Sequence, residues 1–156
     1  MLFASCSRES GPPAEAATAP AVPAATAATP DPAAASVAAV AVGSTVLPVT
    51  IRFEIPAAPL VGQPSRVTLT VAADQGVERV EISGRSASLL IDEATAKRVL
   101  EGLEAGKARQ IDVGFTSQAE GLADLELDVS VQTGTGPLQS TFAIPVLTIA
   151  AAPAGG

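Results

Sequence analysis

The stretch LADLELDVSVQ, residues 122–132, alternates without a break: Leu125, Leu127, Val129 and Val131 are apolar, and Glu126, Asp128, Ser130 and Gln132 are polar. Successive side chains of a β-strand point to opposite faces. A period of two therefore puts the four aliphatic residues on a buried face and the polar set on a solvated one. A helix would spread both sets around its axis. The stretch predicts a long half-buried strand.

The same period recurs on both sides. Val49, Ile51, Phe53 and Ile55 alternate with Thr50, Arg52 and Glu54, until Pro56 and the sequence APLVGQP end the run. Proline has no N–H for a ladder, so it marks an end. Val67, Leu69 and Val71 alternate with Arg66, Thr68 and Thr70. Asp74-Gln75-Gly76 then reads as a turn, followed by Val80 and Ile82 between Arg79, Glu81 and Ser83. Leu89-Leu90-Ile91 is a short apolar run, and Ile111, Val113 and Phe115 alternate again. Thr133-Gly134-Thr135-Gly136-Pro137 predicts a hairpin turn into a last strand holding Leu138, Phe142, Ile144 and Val146, ending near Ile149. Residues 92–106 differ. Ala96, Val99, Leu100 and Leu103 fit helical spacing, with Asp92 as N-cap and Gly106 as the closing glycine. A short helix is expected near residues 93–100.

About seven short strands with turns between them predict an all-β chain folded as a Greek-key β-sandwich over residues 44–150. Gly62-Gln63-Pro64, then Leu103-Glu104-Ala105-Gly106, then Glu120-Gly121 before the long strand stand in an order that resembles bacterial immunoglobulin-like and fibronectin-type-III-like domains of the cell-adhesion-related type. The resemblance covers about residues 46–149 and implies an Ig-like sandwich. It differs from antibody domains in having no inter-sheet cysteine pair, core tryptophan or tyrosine corner. Residues 151–156 read as a flexible tail.

Composition excludes several kinds of chemistry. Histidine is absent, which removes the usual general base at neutral pH and the commonest metal ligand. One cysteine cannot form an intrachain disulfide, a thiolate zinc cluster or a CxxC pair. The net charge of −7 and nine scattered basic residues do not suit a phosphate backbone, so no nucleic-acid partner is expected. Trp and Tyr are absent and Phe occurs four times, which predicts an aliphatic core and counts against a glycan-binding cleft. No catalytic residues, metal site or cofactor are expected.

Acidic residues offer the one candidate constellation. Asp124, Glu126 and Asp128 share a face of the long strand, spaced about 7 Å apart at ~3.4 Å per residue. Calcium needs six to eight oxygens converging from several segments. A row on one strand reads instead as a solvated outer face. Asp92 with Glu93 reads as a helix start. Lys97 and Lys107 lack the serine spacing that Ser–Lys chemistry needs, and the glycine-rich GTGPL sits at a hairpin rather than before a helix.

The first ten residues carry a different signal. Leu2-Phe3-Ala4-Ser5-Cys6 resembles a bacterial lipobox: an apolar residue, two small residues beside the scissile bond, then the cysteine that takes the lipid. The resemblance implies that Cys6 is the lipidation site, and Ser7 after it resembles the class held at the outer membrane. Five residues precede Cys6 and none is basic, so the basic and apolar regions of a signal peptide are not among them. Residues 11–43 are rich in Ala and Pro and low in charge. They read as a disordered tether, able to reach roughly 90–100 Å at ~3.1 Å per residue.

Together these features predict a non-catalytic cell-envelope lipoprotein. It would be held at the membrane by a lipid on Cys6, face the periplasm or the surface, and carry an Ig-like binding or spacer module for an envelope protein partner. The alternative is a soluble periplasmic accessory protein that binds by β-strand addition. Loops 57–64, 84–88 and 133–137 are the candidate contact loops.

Overall fold

The computed structural model describes residues 36–152; the lipobox-like stretch with Cys6, most of the Ala/Pro tract and the last four residues lie outside them. The strands are β1 (Val37–Ala38), β2 (Val40–Val42), β3 (Val49–Glu54), β4 (Pro64–Ala73), β5 (Val77–Arg85), β6 (Leu89–Ile91), β7 (Lys97–Leu103), β8 (Ala108–Ser117), β9 (Gly121–Thr133) and β10 (Gly136–Thr148), with one helical turn, α1 (Glu93–Ala96). They form two five-stranded antiparallel sheets, in the orders β1-β3-β4-β8-β6 and β2-β10-β9-β5-β7. This is an immunoglobulin-like Greek-key β-sandwich, as the alternation predicts.

The 122–132 stretch lies in β9 at the middle of the second sheet. β9 and β10 are each thirteen residues long and pair along their whole length, from Gly136 opposite Thr133 to Thr148 opposite Gly121. The inward side chains of β9 are Leu125, Leu127, Val129 and Val131, all buried. They pack with Val67, Leu69 and Val71 of β4, Val113 and Phe115 of β8, and Phe142, Ile144 and Val146 of β10 in one core. Burying each such side chain fully is worth about 1.5–3 kcal/mol, so a nearly all-aliphatic interior holds the sheets together without a disulfide.

Three strands lie where the sequence predicts none. β1 and β2 fall inside the expected 11–43 tether, so the folded unit starts before residue 44. Val37 and Ala38 pair with Phe53 and Arg52 in the first sheet. The chain then crosses at Ala39, whose N–H donates to the Ile51 carbonyl at 2.9 Å. Val40, Ala41 and Val42 pair with Ala143, Phe142 and Thr141 in the second sheet. One short segment thus lies along both sheets. Its alanines hide it, because alanine contrasts weakly with its neighbours in either period.

The third is β7. The expected helix near residues 93–100 is one turn, Glu93–Ala96, and a strand follows it. Asp92 is the N-cap, its Oδ1 accepting from the Ala94 N–H at 3.1 Å. Leu100 and Leu103 are three apart and both buried, opposite Val80 and Val77, which are also three apart and buried. Between them Gly102 adopts φ +59°. That left-handed residue resets the alternation and imitates helical spacing in the sequence. Gly106 has φ +72° but stands in the turn before β8, not at a helix end.

β10 leaves the sandwich at Thr148, and Ile149 bridges to Leu60 just beyond it. β2 runs antiparallel to β10, so the chain comes into the fold travelling away from the end at which it later departs.

Candidate functional site

The outer face of the second sheet collects nearly every ion pair among the described residues. Arg85, at the end of β5, sets Nε 2.9 Å from Glu126 and 3.1 Å from Asp128 on β9. Asp128 also accepts the Thr141 hydroxyl at 2.8 Å. Further along, Arg79 lies 2.6 Å from Glu81 and 3.9 Å from Glu101, and Lys97 is 3.6 Å from Glu81. The register explains the pattern: Ser83 stands opposite Asp128 and Arg85 opposite Glu126, so the bases of β5 meet the acids of β9 on one face.

The acidic row therefore lies where the alternation puts it. Glu126 and Asp128 meet a guanidinium, while Asp124 stands opposite Pro145. Among the described residues no three acidic, histidine or cysteine side chains converge as a metal site would require. Asp92 and Glu93 belong to the helix start. Lys97 is in the ion-pair network, and Lys107 is in the turn before β8, its N–H donating to the Glu104 carbonyl at 3.1 Å.

An open depression of about 550 Å³ lies where Val42–Gly43 and Thr45 border this face; Glu81, Ser83, Lys97, Asp128 and Gln139 line it. Its walls are polar. A second depression, of about 530 Å³, is formed by the 56–66 segment, with Pro56, Ala57, Leu60 and Pro64 in its lining.

Two of the three predicted contact loops share an end of the sandwich. Gly62 donates its N–H to the Ser117 carbonyl at 2.8 Å, and Val61 donates to Ile149 at 3.1 Å, which pins the 57–64 loop. In the 84–88 loop the Ser86 hydroxyl donates to the Asp124 carbonyl at 2.7 Å and accepts the Leu89 N–H at 3.2 Å. Leu89 pairs with Ser117, so both loops adjoin the end of β8. The 133–137 turn is at the opposite end, beside Leu47, Pro48 and Asp74. The structure therefore brings the first two loops together and leaves the third apart.

The sequence reading does not find the apolar strip on the same outer face. Val40 and Val42 of β2, Leu122 of β9 and Leu147 of β10 are all exposed, and Leu122 and Leu147 stand directly opposite each other. One signal was available: no residue from Pro32 to Ile51 is charged.

No protein-family model matches the chain, and no curated protein does. Among solved structures, the chain is similar to the cohesin module of a family 33 glycoside hydrolase from Clostridium perfringens, with a TM-score of 0.43 and 18% identity over 69% of this chain and 100% of that one. It is also similar to a PapD-like domain of human CEP192, with a TM-score of 0.43 and 15% identity over 71% of this chain and 94% of that one.

Proposed function

We propose that the chain is a non-catalytic binding or spacer module of a bacterial cell envelope, carried on an Ala/Pro tether from a lipid on Cys6. The observation that supports it most is the outer face of the second sheet. Its bases and several of its acids neutralise one another across β5, β7 and β9, on a flat and solvated surface, in a chain without histidine. Such a surface suits contact with another protein better than bond-making chemistry, which needs a positioned base in a cleft. The anchor rests on the Leu2–Cys6 pattern and the polar Ser7-Arg8-Glu9-Ser10 after it. Acyl chains add about 0.8 kcal/mol per buried methylene, and more than one chain holds a protein stably.

The test is mass spectrometry of the N-terminal peptide from native membranes. An acylated chain beginning at Cys6 is expected. A free thiol at Cys6 would remove the anchor and leave a soluble module.

Strand addition is the second reading, and one observation favours it. β2 covers Thr141–Ala143 of β10 and nothing beyond, so among the described residues the outer edge of β10 from Ile144 to Thr148 has no neighbouring strand. An uncovered edge is a template for another strand.

A further inference from the structure

The two edges of the second sheet differ in kind. β7 closes one side with Lys97, Arg98 and Glu101, hydrated charges of the sort that discourage edge-to-edge pairing. β2 closes the other with Val40-Ala41-Val42, which has neither charge nor proline; its two valines are 65% and 58% exposed. One side of β2 pairs with β10, and the other has no strand beside it among the described residues. An exposed, uncharged, valine-rich edge is what a lone domain normally avoids.

We propose that β2 pairs antiparallel with β2 of a second copy, joining the two five-stranded sheets into one continuous sheet across a twofold axis at Ala41. A twofold makes the strand meet its own reverse. Val40 then stands opposite Val42 of the second copy, Ala39 opposite Gly43, and Ala38 opposite Ser44. No pair in this register sets like charges together, because the whole segment is uncharged. The outward valines of both copies form a four-residue apolar strip, which extends on each side onto Ala143 and Pro145 of β10. The pairing narrows the strand-addition reading to one partner and does not depend on the lipid anchor.

The full chain carrying Cys6→Ser, which removes the competing thiol, is measured by sedimentation over a wide concentration range. A reversible dimer is expected, and Val40→Lys should weaken it by about tenfold or more, while Val99→Lys on the β7 edge leaves it unchanged. Circular dichroism and the thermal midpoint verify that each variant is folded. Ala41→Cys in the same background puts two thiols across the axis. Facing Cα atoms there are about 4.5–5.5 Å apart, within reach of a disulfide. Mild oxidation should yield a covalent dimer, and Val46→Cys, exposed but outside the strand, should not. A monomeric parent, a dimer indifferent to Val40→Lys, or no cross-link through Ala41→Cys would each overturn the pairing. A monomer would leave addition of a foreign strand untouched.

Discussion

Leu125 and Ile144 face each other across the β9–β10 ladder, and neither exposes any surface to solvent. They belong to the interior that takes the place of a disulfide in this sandwich. Leu125→Ala is expected to cost about 2–5 kcal/mol, and Ile144→Val about 0.5–1.5 kcal/mol. Because the two are neighbours, the double variant should depart from the sum of the singles. Urea unfolding measures all three; a Leu125→Ala midpoint at the parent value would mean that this contact carries no packing.

The helical turn is fastened to β8 by one hydroxyl. Thr95 Oγ1 accepts the Gly114 N–H at 2.8 Å and donates to the Asp92 carbonyl at 3.1 Å. Thr95→Val keeps the shape and leaves the Gly114 donor without its partner, at a cost of about 1–3 kcal/mol. Gly114→Ala should also destabilise, because a Cβ there would lie 3.2 Å from Asp92 Cβ and 3.3 Å from Thr95 Oγ1. Amide exchange at Gly114 gives the direct readout, with faster exchange expected in Thr95→Val.

Arg85 is flanked by two carboxylates yet stands 60% exposed. Exposed pairs are worth about 0–1 kcal/mol, and salt screens them. Arg85→Met should therefore change the unfolding free energy by less than about 1 kcal/mol, with the difference shrinking in concentrated NaCl. A salt-independent loss above about 2 kcal/mol would indicate that this face is covered in solution.

Gly102 offers a clean comparison of backbone against space. An added Cβ meets nothing within 4 Å, so the whole penalty of Gly102→Ala comes from φ +59°. The expected cost is about 1–2 kcal/mol. Gly76 also has open space and does not take that conformation. Gly76→Ala should be neutral or stabilise by a few tenths of a kcal/mol, roughly, through a less flexible unfolded chain. Equal thermal midpoints for the two variants would contradict the assigned backbone.

Seven of the ten strands were legible because their inward residues are large and their outward residues polar, as in Val67–Val71 and Leu125–Val131. The others were hidden for separate reasons. In β1 and β2 alanine takes positions on both faces, and the neighbouring prolines suggest an extended linker. In β7 the left-handed Gly102 turns a period of two into a spacing of three between Leu100 and Leu103. The acidic row was legible as an outer face, since alternation fixes the side on which a residue lies. Its partner Arg85 was not, because the β5–β9 register depends on pairing between segments some forty residues apart. The exposed valines of β2 could not be read as a surface while the segment itself was read as tether.

The antiparallel run of β2 beside β10 also sets how the domain would respond to being pulled. Tension arriving before Ser36 and leaving after Ile149 draws the first and last strands apart from the same end. Their hydrogen bonds are then opened one rung after another instead of being sheared together. β1 contributes two paired residues and β2 three, so this segment should peel away at low force while the β9–β10 hairpin stays closed. The first extension in a single-molecule pulling record would then be a short one, ending at the hinge that Gly43 provides, at φ +130°, before β3 begins.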